Sequence, residues 1–161
     1  MCKLKKSMHF VFIVSLILNV FFNCSAFSCS ACESEKETSK ILSEQSSPND
    51  FVIDENGCLT AYNGYAETVV IPETVKSIYF GVFMDKSEIE SVFFPEGLIC
   101  VDEYAFYGCE SLAGIKIPQE VLSIEPYAFS KCKTMESVEM GNKVTYIGKY
   151  AFEGCVQLKQ L

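Results

Sequence analysis

The sequence contains no arginine and no tryptophan, and it has a single histidine, His9. All 13 cationic residues are lysines, set against 21 Asp and Glu, for a formal charge of −8. Nucleic-acid binders usually carry a basic, arginine-rich face, so this balance argues against a nucleic-acid partner. His9 lies in an N-terminal stretch that reads as an export signal. With that stretch removed, no histidine remains, which excludes a histidine-based triad, a histidine general base and a His-ligated metal. Long hydrophobic runs are also lacking. The apolar run Phe10 to Phe22 has 13 residues, short of the roughly 20 that a membrane helix needs.

What is present begins with that signal. Lys3, Lys5 and Lys6 precede the apolar run, and small residues follow from Asn23 to Cys32. Residues 1–31 are therefore expected to be a signal peptide. Cys29 and Cys32 each follow a small residue, so they are candidate lipidation sites. The surrounding residues resemble a lipobox but lack a leucine three positions before either cysteine, and ordinary cleavage after Ala26, Ser28 or Ala31 is the rival. Cys29 to Cys32 also spells C-x-x-C, but no strand–helix scaffold surrounds it. Residues 32–50 are polar and cannot bury enough apolar surface to offset chain entropy, so they read as a disordered tether. The eighteen residues 33–50, if flexible, span roughly 25 Å on average.

From residue 67 onward the chain repeats itself. Pro72, Pro95 and Pro118 are 23 residues apart, and Gly141 continues the column. Phe83, Phe106, Phe129 and Phe152 keep the interval, as do Ile78, Val101, Ile124 and Ile147. Ile89, Leu112, Met135 and Leu158 form another column, and Cys109, Cys132 and Cys155 another. Val82 precedes the first Phe, whereas Ala105, Ala128 and Ala151 precede the others. So many columns in one register point to a solenoid, in which each unit buries its apolar face only against its neighbours.

One unit shows how a coil is made. Ile115 and Ile117 alternate with Lys116, which predicts a short strand with two residues inward and one outward. Pro118 ends the strand because it donates no ladder hydrogen bond. Val121 and Ile124 return the chain along a second wall. Pro126 to Phe129 suits a single helical turn with Pro at its first position. Before the repeats, Phe51–Ile53 and Leu59–Tyr62 flank Asn56-Gly57, a strong hairpin signal. Residues 51–66 are expected to cap the open end of the stack. Leu161 falls at a strand position, so the last coil reads as incomplete and its edge as a site of self-association.

The pattern Leu112, Ile115, Ile117, Pro118, Val121, Ile124, Ala128, Phe129, Cys132 resembles the leucine-rich repeat of BspA-like surface antigens. The resemblance covers residues 67–161. The first coil departs from it with Val82 for Ala and Lys86 for Cys, and the fourth with Met140-Gly141 for Ile-Pro. It implies a leucine-rich repeat solenoid of short parallel strands with irregular or short helical-turn backs. It also implies a secreted or cell-surface protein that acts in adhesion and recognition, with no catalytic residue; no cofactor is expected.

The candidate binding face is the set of outward strand residues: Val70, Phe93, Lys116 and Glu139 in one column, Glu90 and Glu136 in the next. Phe93 beside Val70 is an outward apolar pair of the kind interfaces use as an anchor. The cysteine column reads as small buried fillers rather than disulfides or metal ligands, and Cys58 and Cys100 are left unpaired. Glu88, Glu90, Asp102, Glu103 and Glu136 read as solvated surface. Gly141 to Tyr150 lacks the spacing of a phosphate loop. The expected function is an exported module that binds an extracellular protein or surface ligand, tethered to a membrane through an N-terminal lipid. The alternative is a truncated, self-associating structural fragment of a larger surface protein.

Overall fold

The structure, a computed structural model, describes residues 45–159. The expected signal peptide, Cys29, Cys32 and most of the expected tether lie outside the described residues.

The 23-residue period becomes a coil with three sides. On the first side run the three-residue strands β3 (Thr68–Val70), β5 (Ser91–Phe93), β7 (Gly114–Lys116) and β9 (Ser137–Glu139). On the second run β4 (Ser77–Ile78), β6 (Cys100–Val101), β8 (Ser123–Ile124) and β10 (Tyr146–Ile147). Turns make the third. Each strand on the first side sends its middle residue inward: Val69, Val92, Ile115 and Val138 are buried. The second side buries Ile78, Val101 and Ile124.

The second side is the continuous sheet. The cap strands β1 (Phe51–Ile53) and β2 (Cys58–Tyr62) join it, in the order β1-β2-β4-β6-β8-β10. β1 and β2 pair antiparallel around the Asn56-Gly57 turn, as the hairpin signal required, and the other neighbours pair parallel. Gly57 holds φ 81° at that turn, and a Cβ there would stand 2.7 Å from the Thr74 carbonyl. Both demands leave only glycine.

The first side, where the sequence suggests one ladder, forms two: β3 with β5 and β7 with β9. The interruption has a local cause. Ile71 and Ile117 follow β3 and β7 and donate their N–H to Phe93 O (3.0 Å) and Glu139 O (2.8 Å). Phe94 holds the same place after β5 but makes no such bond to Lys116 O. Its ring is too large for a slot built for isoleucine. It stays half-buried, edge-on to Phe106 at 5.6 Å and 75°, and the ladder breaks there, although Ala113 N still donates to Glu90 O at 3.2 Å.

The third side is irregular. Pro126 to Phe129 forms a turn instead of a helical turn, because Tyr127 sits at φ 59°. Left-handed residues recur at Gly81, Tyr104, Tyr127 and Tyr150, and again at Asp85, Gly108, Lys131 and Gly154. They alternate the direction of successive N–H groups. Ala105, Tyr107 and Cys109 bond within the coil, to Asp102, Tyr104 and Phe106. Tyr104, Phe106 and Gly108 bond forward to Pro126, Ala128 and Ser130 of the next coil. A right-handed helical turn would leave those coil-to-coil bonds unmade.

The core is a column of rings. Phe83, Phe106, Phe129 and Phe152 stack at centroid spacings of 4.7, 5.2 and 5.4 Å with planes within 8°. The spacing is set by the roughly 4.8 Å between neighbouring strands. Tyr62 of the cap continues the column onto Phe83 at 5.0 Å. Lys86, where later coils have cysteine, ties the cap down: its ammonium donates to Gly64 O at 3.1 Å. Residues 45–50, the end of the expected tether, run along the outer edge of β3. Ser46 N donates to Thr68 O at 3.0 Å and Ser46 Oγ accepts from Val70 N at 2.9 Å. Ser47 then caps a 3-10 turn at Pro48–Asp50.

Candidate interaction surfaces

The six candidate residues all stand exposed on the first side. Val70 and Phe93 are register partners across β3 and β5, 46% and 59% exposed, so the apolar pair is real surface. Lys116 and Glu139 are partners across β7 and β9, and their charges meet at 3.7 Å. Glu136 pairs with Lys159 at 2.9 Å; Glu90 forms no ion pair among the described residues. The face thus has an apolar half and a charge-paired half. At their junction, where β5 and β7 part, lies a surface cavity of about 330 Å³ lined by Phe93, Phe94, Glu96, Lys116, Pro118 and Gln119.

The ion pairs repeat the period. Glu110–Lys133 (2.7 Å) and Glu120–Lys143 (2.8 Å) link neighbouring coils at the same 23-residue offset. Exposed pairs of this kind contribute about 0–1 kcal/mol each. They fix register more than they add stability.

Cys109 and Cys132 sit inside as expected, Cys155 of the last coil is half-buried, and the column has a further role. The Sγ atoms of Cys109, Cys132 and Cys155 donate to the carbonyls of Phe83, Phe106 and Phe129 at 3.2, 3.3 and 3.2 Å. The five described cysteines are free thiols. Cys58 and Cys100 are held apart because both pair with the strand of Ser77 from opposite sides. That separation is about two strand spacings, beyond the roughly 7 Å limit for a disulfide. Burial pushes the Cys109 thiol up to about 12. The contact between the Cys132 and Cys155 thiols, then burial, raises Cys132, and the same contact lowers Cys155. We expect iodoacetamide at pH 8 to modify Cys155 well before Cys109 and Cys132, read by peptide mapping; equal rates would contradict the packing. The sign with pH follows. Cys109 keeps its proton in the folded chain after the unfolded chain loses it, so its stabilising contribution is full below about pH 9 and lost as the pH rises towards 12.

Among the described residues no three His, Cys, Asp or Glu side chains converge as a metal site would require.

A second surface escaped the sequence reading. On the third side Phe80, Tyr104, Tyr127 and Tyr150 form a row along the axis, joined at 5.5, 4.9 and 5.2 Å. Tyr104, Tyr127 and Tyr150 do share the 23-residue interval, and Gly81 holds their place in the first coil. Nothing in the interval itself reveals that this place needs a left-handed backbone, which costs a bulky residue roughly 1–2 kcal/mol. Stacking returns about 0.5–1.5 kcal/mol per pair, so the row is close to neutral for the fold.

The family model described as a BspA type leucine rich repeat region matches residues 58–161 in six copies. No curated protein matches the sequence. Among solved structures, a leucine rich repeat protein from T. pallidum shares the fold at 24% identity and TM-score 0.58, over 71% of this chain and 69% of that one. A leucine rich cell surface protein from Faecalibacterium prausnitzii is similar at 27% identity and TM-score 0.59, over 72% of this chain and 30% of its own. A leucine-rich repeat protein from Eubacterium ventriosum is similar at 26% and 0.61, over 71% and 34%. The chain spans about a third of the length of these last two.

Proposed function

Since the chain belongs to the BspA-type leucine-rich repeat family, we propose that it is an exported, surface-associated binding module that recognises an extracellular protein or surface ligand without catalysing a reaction. The observation that carries this reading is the exposed Val70–Phe93 pair on a rigid stack, beside the cavity between β5 and β7. A solenoid presents such a face at fixed geometry, so little conformational entropy is lost on binding. The signal-like N-terminus and the cell-surface description of the Faecalibacterium relative support export. Lipidation at Cys29 or Cys32 would hold the module at a membrane, and mass spectrometry of the mature N-terminus tests it.

The binding role is tested with labelled full chain on intact cells. We expect saturable binding that Phe93→Ala weakens about tenfold, the loss usual for a central aromatic anchor. Unchanged affinity in that variant would remove the first side from the account.

Self-association is the second reading. Among the described residues β10 pairs with β8 alone, and Tyr146, Ile147 and Val156 are exposed around it. Light scattering over a range of concentrations decides it: oligomers that Ile147→Lys disperses support it, and a monomer at every concentration rules it out.

A further inference from the structure

The aromatic row on the third side has chemistry that the first side lacks. Its last ring already holds a cation: the ammonium of Lys149 lies 4.5 Å from the Tyr150 ring centroid. Beside the row, the ammonium of Lys131 lies 4.8 Å from the Tyr107 centroid. Tyr107 in turn contacts Tyr104 at 5.5 Å. Tyrosine rings on this side, Tyr150 in the row and Tyr107 beside it, therefore accept ammonium groups, as the negative face of a π-system does.

At the N-terminal end of the row, among the described residues, no cation lies over Phe80 or Tyr104 themselves. Tyr79 and Phe80 are 54% and 52% exposed. One coil on, Asp102 and Glu103 occupy the places of Tyr79 and Phe80, and two coils on Glu125 occupies that of Tyr79. The register is fixed by Gly81 N donating to Glu103 O at 3.1 Å. An exposed aromatic pair thus stands one strand spacing from a carboxylate pair. Among the described residues no lysine rests on Phe80 or Tyr104, and none pairs with Asp102, Glu103 or Glu125. In the same column of the fourth coil stands Lys149, the cation that covers Tyr150.

The backbone adds an independent observation. Tyr104, Tyr127 and Tyr150 hold φ of 57°, 59° and 63°. Gly81 shows that glycine serves the turn. Bulky residues at this left-handed position hold their rings on the surface at a cost that stacking only about offsets.

The geometry points to a docking surface at Tyr79, Phe80 and Tyr104, framed by Asp102, Glu103 and Glu125, that takes a lysine- or arginine-bearing segment of a partner polypeptide. Charge complementarity selects that occupant. A chain of formal charge −8 repels acidic polypeptides, nucleic acids and anionic glycans. The rings supply cation–π contact and the carboxylates supply counter-charge. The inference rests on the reading of the chain as a binding module but uses a different face, so variants of the two faces fail separately.

The test uses the full chain and fluorescein-labelled octalysine, read by anisotropy, with octaglutamate and the neutral sugar chitohexaose as further probes. Octalysine is expected to bind and the other two are not. Phe80→Ala and Tyr104→Gly should each weaken octalysine about five- to tenfold, and Glu103→Gln should weaken it too. Tyr104→Phe keeps the ring and should bind as the parent does, as should Phe93→Ala on the other face. Phe80 is exposed, so Phe80→Ala reports even if Tyr104→Gly melts early. If Glu103→Gln weakens binding while Phe80→Ala does not, diffuse surface charge accounts for the result and the site is overturned. Chitohexaose binding that Tyr104→Phe abolishes would overturn it in favour of a glycan surface.

Discussion

Replacing Phe106 with alanine is expected to lower the unfolding free energy by about 4 kcal/mol, the usual loss for a fully buried phenylalanine. Phe106 is 0% exposed. It lies between Phe83 at 4.7 Å and Phe129 at 5.2 Å, with Phe94 edge-on at 5.6 Å. The cavity left behind cannot collapse. The coils above and below are held by backbone bonds such as Phe83 N to Ala105 O at 2.9 Å and Phe106 N to Ala128 O at 2.7 Å. Phe152 supplies the comparison. It is half-buried and stacks on Phe129 alone among the described residues, at 5.4 Å. Phe152→Ala should therefore cost less than half as much. Chemical denaturation of both variants checks this, and equal losses would contradict a ring column held on both sides.

The second large effect is expected at Gly141, where Gly141→Ala should cost about 1–3 kcal/mol through overpacking. A Cβ there would overlap the Pro118 carbonyl and lie 3.1 Å from Gln119 Cα. Both are backbone, so no side chain can swing away. Gly97→Ala is the control. Nothing lies within 4 Å of the Cβ it would add, and its φ is not left-handed. That variant should be neutral, or stabilised by up to about 1 kcal/mol through a less flexible unfolded chain. Thermal melting of the pair measures the difference. A Gly141→Ala variant as stable as the parent would show that the third and fourth coils are looser than the geometry describes.

The ion-pair ladder belongs at the other end of the scale. Glu110–Lys133 and Glu120–Lys143 are solvent-exposed, so removing one pair should move the midpoint little.

The 23-residue columns were legible because burial in a stack is periodic. A residue that faces inward in one coil faces inward in the next, so Ile78, Val101 and Ile124, or Phe83, Phe106 and Phe129, repeat in kind. The alternation of Ile115, Lys116 and Ile117 likewise told inward from outward, since side chains alternate along a strand. On the same ground the candidate face at Val70, Phe93, Lys116 and Glu139 stands exposed. The hairpin at Asn56-Gly57 was legible because glycine suits the left-handed position that Gly57 takes there, at φ 81°.

Other features depend on relations between coils that no single residue announces. Phe94 reads as one more apolar residue in an isoleucine column, and only packing against Phe106 shows that it splits the first side. Pro126-Tyr127-Ala128-Phe129 suits a helix start by its own preferences. The stack overrides that preference, because alternate N–H groups must point along the axis to reach the next coil. Tyr104, Tyr127 and Tyr150 then take left-handed backbone, and their rings meet in a row. By itself the sequence determined the period, the core and which residues face outward, because these follow from alternation and burial along one chain. The tertiary structure alone decided which side became the continuous sheet, where the other side opened, and that an aromatic row forms on the third side with its two end rings exposed. Those follow from hydrogen bonds and steric fit between coils, which residue order specifies only once the coils are stacked.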